Sequence, residues 1–150
     1  MYFLDVKILA RNRKAFHDYD VIDKLEAGIV LAGTEVKTLR TGKANFADSY
    51  ASVEKGEIFL YSLDIPLYEQ GNRFNHEAKR KRKLLLHAKE IERLSGQTEQ
   101  KGLTIVPLSI YLNDKSKVKV ELGICKGRKL HDKRAALAAK EAKRAIREFI

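Results

Sequence analysis

A chain of 150 residues with 30 Lys and Arg against 20 Asp and Glu carries a net charge of +10 and a pI near 9.7, and is long enough for one self-sufficient core. Its single cysteine, Cys125, excludes an internal disulfide, reads as a buried structural residue and suits a reducing cytoplasm. No apolar run approaches the roughly 20 residues a spanning helix needs, and Tyr2 to Leu9 is too short and too charged for a signal peptide.

Arg11-Asn12-Arg13-Lys14 reads as a basic arm, followed by the alternating segment His17 to Asp23, which suggests a strand. Gly28-Ile29-Val30-Leu31 reads as a short buried strand. Gly33 introduces a helix over Thr34 to Thr41, with Glu35 in its first turn, Arg40 in its last and Gly42 as a stop; Val36 and Leu39 face a core. Ser49 to Glu54 and Glu57 to Leu63 flank Lys55-Gly56, a two-residue hairpin signal. Pro66 to Asn72 is a loop of turn formers, and Leu84-Leu85-Leu86, apolar on both strand faces, is expected to be buried. Ala88 to Leu94 predicts a second helix, with Ile91 and Leu94 inward and Gly96 as its stop.

The clearest hairpin joins Leu103–Asn113 to Lys117–Cys125 across Asp114-Lys115-Ser116. In its second arm Val118, Val120, Leu122 and Ile124 share one face, and Lys117, Lys119 and Glu121 the other. Pro107 lacks a donor, so its strand requires an edge or a bulge there. About six short strands and two short helices predict a mainly β fold, a small closed or partly closed barrel over residues 1–125. Residues 126–150 form a basic tail with nine Lys and Arg against three Asp and Glu. Its Ala-rich part, 135–150, has high helix propensity but is marginal as an isolated helix, which predicts disorder or fraying when free and a helix when bound.

The charge is segregated. Residues 1–17 sum to +3, 18–77 to −5, 78–125 to +6 and 126–150 to +6. Such partition marks a surface that meets a polyanion, nucleic acid first and an anionic membrane second. The Ala-dominated tail without Trp offers little area to insert into a bilayer. Lys79-Arg80-Lys81-Arg82-Lys83 suits a loop gripping a curved phosphate backbone. No helix-turn-helix, zinc-finger or basic-zipper pattern points to DNA, whereas barrels commonly bind RNA through an electropositive face with stacking side chains, for which Asn12, His17, Tyr19 and Tyr68 are candidates. Catalysis is not expected. His17, His76, His87 and His131 have no metal-ligand spacing, nucleophile-elbow and phosphate-loop motifs are missing, and nothing places Glu26 and Glu35 in a common cleft. No cofactor or metal is expected either. Glu26 near an RNA face would anchor a guanidinium or accept a base or ribose hydrogen bond.

Six blocks in register resemble the small protein B family, the SsrA-binding proteins of bacteria: Asn12-Arg13-Lys14-Ala15 with His17-Asp18-Tyr19; Glu26-Ala27-Gly28-Ile29; Gly33 to Arg40 with Gly42-Lys43; Arg80 to Leu86; Lys101 to Thr104; and Lys126-Gly127-Arg128-Lys129 with His131 to Arg134. The resemblance implies an oligonucleotide-binding-type barrel that is not an enzyme and binds the tRNA-like domain of transfer-messenger RNA. With the elongation factor that carries aminoacyl-tRNA, it would enter ribosomes stalled on messages lacking a stop codon, the tail lying in the vacant mRNA path at the small-subunit decoding region. It further implies RNA contact by Asn12, Arg13, Lys14, His17, Glu26 and Arg40, basic support from Arg80, Lys81, Arg82 and Lys83, and ribosome contact by Gly127, Arg128, Lys129, His131, Asp132, Lys133 and Arg134. The free protein is expected to be monomeric. Leu25, Thr38 and Arg128 depart from the family's usual residues, conservatively. A generic basic ribosomal or ribosome-assembly protein shares the charge logic, and an RNA-processing nuclease is a third reading.

Overall fold

In a computed structural model that describes residues 6–127, seven antiparallel strands curl into a barrel. The tail positions 128–134, expected at the ribosome, and the bound-state helix expected over 135–150 lie outside the described residues. In chain order the elements are β1 (Lys7–Arg11), α1 (Arg13–Asp18), β2 (Tyr19–Ile29), α2 (Gly33–Arg40), β3 (Tyr50–Glu54), β4 (Glu57–Tyr61), a 3-10 turn (Glu69–Phe74), β5 (Arg82–Leu85), α3 (Ala88–Lys101), β6 (Thr104–Leu112) and β7 (Val118–Gly127). The pairing β6-β3-β4-β5-β2-β7 closes because β7 also pairs with β6, making a ring of six strands. β1 is the seventh strand, laid beside the far half of β6.

Local chemistry explains most of these elements. Lys55 and Gly56 both have positive φ, 50° and 77°, the backbone that lets a two-residue turn match the twist of β3 and β4. Pro107 sits at a β-bulge between Pro107 and Ser109, one of the two arrangements its missing N–H permits. Val120, Leu122 and Ile124 are fully buried and line the barrel with Ala27, Ile58, Leu60, Leu84, Ile105 and Ile110; α2 and α3 add Leu39 and Leu94. A second, smaller cluster of Ala15, Val106, Leu108 and Cys125 packs α1 onto the outside of the wall. Burial pushes the Cys125 thiol up to about 11, as suits an inert structural cysteine. Gly123 leaves room for Leu108 there: a Cβ at 123 would lie 2.9 Å from the Leu108 side chain. Gly123→Ala is expected to destabilise the fold by about 1–3 kcal/mol, read as a lower urea midpoint at unchanged slope.

Several expectations need correction. His17 and Asp18 end a helix instead of opening a strand, because Asn12 caps α1 and Ala15 ties it to the second cluster. The two strands expected at 17–23 and 28–31 are one, Tyr19–Ile29, whose alternation is interrupted by a bulge at Ile22. Gly96 does not stop α3. The helix runs to Lys101 and ends at Gly102, whose left-handed φ of 63° supplies the stop. Leu84 is buried, but Leu85 points outward and is 52% exposed.

Candidate nucleic-acid interface

The N-terminal block folds around Asn12. Its side-chain carbonyl accepts from the Ala15 N–H at 3.2 Å, capping α1, while its amide donates to the Pro107 carbonyl at 2.8 Å. Its own backbone N–H donates to the Leu108 carbonyl, so the residue is pinned to the β6 bulge and buried. Asn12 therefore aims its neighbours, and Arg13, Lys14 and His17 are the exposed ones. Arg11, Arg13 and Lys14 line an open cleft of about 600 Å³, with Asp18, Tyr19, Asp48 and Tyr50 also lining it. Asp48 adopts a positive φ of 62°, a strained turn at the rim. Burial raises the Tyr19 phenol's pKa, with Cys125, Asp18 and Asp48 adding to the effect. Tyr19 pairs with Gly127, so this cleft stands at the root of the tail.

Glu26 belongs to another place. Gly28 lies nine positions beyond Tyr19, up to about 30 Å along the strand. Across β5, β2, β7 and β6 the register aligns Leu85, Gly28, Lys119 and Tyr111, with Glu26, Glu121 and Ser109 in the adjacent outward row. The Tyr111 hydroxyl donates to the Glu26 carboxylate. Lys24 approaches Glu121 on the same face at 4.0 Å. The Cβ missing at Gly28 would stand 3.2 Å from the Leu85 Cβ, so a shallow floor lies beside an exposed apolar wall. Tyr68, a stacking candidate, lies under Lys37, whose ammonium is 5.4 Å from the ring centroid. Arg40 is exposed at the end of α2.

Most of the basic run is paired with carboxylates of the same chain. Arg82 is fully buried, and its guanidinium donates to Glu35 at 2.5 Å and to the carbonyls of Leu63, Arg80, Glu77 and Ala78. Arg80 donates to Glu35 at 2.5 Å and to the Val30 carbonyl. Lys81 pairs with Glu54 and lies 4.1 Å over the Phe59 ring; Lys83 pairs with Glu57. Arg82 is thus a scaffold residue that cannot touch RNA. The run is a loop only as far as Lys81; from Arg82 it is strand β5, and Lys81 and Lys83 face carboxylates on the neighbouring hairpin. Glu35 is likewise far from being a partner for Glu26 in a cleft: it is buried, accepting also from the Ala32 N–H at 2.7 Å. Among the described residues, no cluster of three His, Cys, Asp or Glu could hold a metal ion, and no helix is long and apolar enough to cross a membrane.

A barrel with two outward clusters can be set against known proteins. The family model described as SmpB protein matches residues 9–150. The chain belongs to the SmpB family. The chain is similar to relatives over nearly its whole length. An SsrA-binding protein of Carboxydothermus hydrogenoformans is 55% identical over 144 residues, 96% of each chain. One from Desulforamulus reducens is 56% identical over 138 residues, 92% of this chain and 86% of that protein. A solved chain from work on tmRNA-SmpB and its journey to the center of the bacterial ribosome superposes with a TM-score of 0.67 at 53% identity, covering 78% of this chain and 82% of the other. For this SmpB chain, sequence reasoning missed Leu85, Tyr111 and Lys119 as neighbours of Glu26. The β7 alternation turned Lys119 outward, but only the strand register brings the row together.

Proposed function

We propose that the chain is a non-catalytic adaptor that binds the tRNA-like domain of transfer-messenger RNA and brings it, with the aminoacyl-tRNA-carrying elongation factor, to stalled ribosomes. Family membership across almost the entire chain is the observation that carries this reading. The geometry supports a finer division. The Glu26 face and the Arg13–Lys14 cleft lie at opposite ends of β2, a spacing that suits two RNA surfaces, and the cleft shares its end with the root of the tail. We assign the body, residues 1–125, to transfer-messenger RNA, and residues 126–150 to the vacant mRNA channel, where the tail becomes helical. Gly127, Arg128, Lys129, His131, Asp132, Lys133 and Arg134 are its ribosome contacts. The functional setting is cytoplasmic, and the free protein is a monomer.

RNA recovered by pull-down from cells tests the reading. One dominant structured RNA supports it; ribosomal RNA alone favours a general ribosomal protein instead, and metal-dependent cleavage of the recovered RNA would move the chain to the nucleases. Salt titration of the complex with full-length transfer-messenger RNA adds a number. With six to eight phosphates neutralised, log K falls against log salt with a slope of about −5 to −7. Lys14→Ala is expected to reduce that slope by about one, whereas Lys83→Ala, removing a lysine already paired with Glu57, changes it far less. Equal effects from both would show that the Glu57 pair does not hold Lys83 away from phosphate.

A further inference from the structure

Glu26 is a carboxylate on an exposed wall of a cationic protein, where an unoriented negative charge repels RNA phosphates. Its value in binding depends on where its oxygens point. Tyr111, 85 positions away in sequence, reaches Glu26 across the intervening β7 and donates its hydroxyl to Oε2. Nothing in the backbone requires this contact: Glu26 opposes Glu121, and Tyr111 opposes Lys119, so the bond is a diagonal reach between side chains one row apart. Only Oε2 is engaged by Tyr111. Glu26 precedes Gly28 by two positions on the same outward face, and the Gly28 floor is flanked by the exposed Leu85 and by Lys119 in the strand register. The Tyr111 phenol's pKa is raised by burial, then by the hydrogen bond and charge of Glu26, so it stays protonated and can only act as donor to the carboxylate.

Resting on the RNA-binding function proposed above, we propose that Tyr111 is a positioning residue that locks the Glu26 carboxylate with Oε1 outward, to accept a hydrogen bond from RNA over the Gly28 floor. The donor is an N–H on the edge of an unpaired base or a ribose hydroxyl, both of which an oriented carboxylate accepts and neither of which a phosphate can imitate. Leu85 supplies the apolar wall against which that nucleotide rests, and Lys119 stands where its phosphate would follow. Pre-orientation matters because a Glu with free rotamers loses side-chain entropy on binding, and because its repulsion of phosphates persists in every rotamer that makes no bond.

The test compares affinity for the tRNA-like domain RNA with affinity for an unrelated RNA duplex of equal length, using the full chain and Tyr111→Phe, Glu26→Gln and the double variant. Tyr111→Phe is expected to weaken the tRNA-like domain by about tenfold and leave the duplex unchanged, with the same salt slope, since no phosphate contact is lost. The double variant is expected to bind no worse than Glu26→Gln alone, because the hydroxyl acts only through the carboxylate. Affinity equal to that of the unaltered chain, strictly additive losses, or parallel loss on both RNAs with a lowered melting temperature would each overturn the positioning role. If the unaltered chain fails to distinguish the two RNAs, the proposed function itself falls, a result separable from the others. Deoxyribose substitution at single positions of the RNA distinguishes the two donors: a position whose loss is abolished in the Glu26→Gln background identifies a ribose hydroxyl, and none identifies a base N–H.

Discussion

Ending the chain after Gly127 is expected to reduce ribosome rescue to background while changing the dissociation constant for the tRNA-like domain by less than about tenfold. The reason is the placement of charge. The removed residues carry eight Lys and Arg against three Asp and Glu, but the chain reaches them through Gly127, paired with Tyr19 at the end of β2 remote from Glu26. Cations that touch no phosphate of an RNA release no counterions from it, so the salt slope for the tRNA-like domain should stay within about one of the full chain's value. The barrel keeps its closure, since β7 is complete to Gly127 and every described core residue precedes the cut. Rescue in a stalled-translation assay and affinity by anisotropy provide the two readouts. A collapse of both would mean that tail and body act on one RNA surface.

The second large effect concerns stability. Arg82→Met is expected to cost about 3–5 kcal/mol at neutral pH, because it strands Glu35 as a buried carboxylate facing only Arg80 and one backbone N–H. It also releases four carbonyls in the segments leading into and out of the loop between β4 and β5. Acid adds a signature. Burial pushes the Glu35 carboxyl up, but the bonds from Arg80, the Ala32 N–H and Arg82 outweigh it and hold the group below the usual carboxylate range. A depressed folded value stabilises the native chain fully above the unfolded pKa of about 4.3, and the gain is lost as pH falls through the folded value. In Arg82→Met, burial dominates and the sign reverses, so the deficit relative to the unaltered protein should shrink between pH 7 and pH 4. Urea titrations at the two pH values check this. A deficit independent of pH would place the loss in packing and in the carbonyls, with no part for the ion pair.

Much of the fold was legible because short-range chemistry and long-range packing agree in it. Lys55-Gly56, the alternation of Val118 to Ile124, and Pro107 at its bulge each behave as their chemistry dictates. The failures have equally local causes. Asn12 is a cap, and a cap cannot be told from a loop asparagine until the Pro107 carbonyl it also reaches is placed. Gly96 looked like a stop because Gly102, the true one, lies a turn and a half further on. The run Lys79 to Lys83 misled most. Five adjacent cations resemble a phosphate grip, yet Glu35, Glu54 and Glu57, scattered over the preceding fifty residues, come back through strand pairing to meet four of them. The Glu26 site failed in the opposite sense: the residue itself was singled out, but Tyr111 and Leu85 come from other strands, and only register joins them.

Photocrosslinking inside stalled ribosomes, from a probe at Val30 on the Glu26 side of the barrel and another at Lys133, tests the division of labour most directly. Transfer-messenger RNA is expected to be joined to the first probe and ribosomal RNA of the mRNA path to the second. Both probes on a single RNA, or the Lys133 probe never on the mRNA path, would contradict that division.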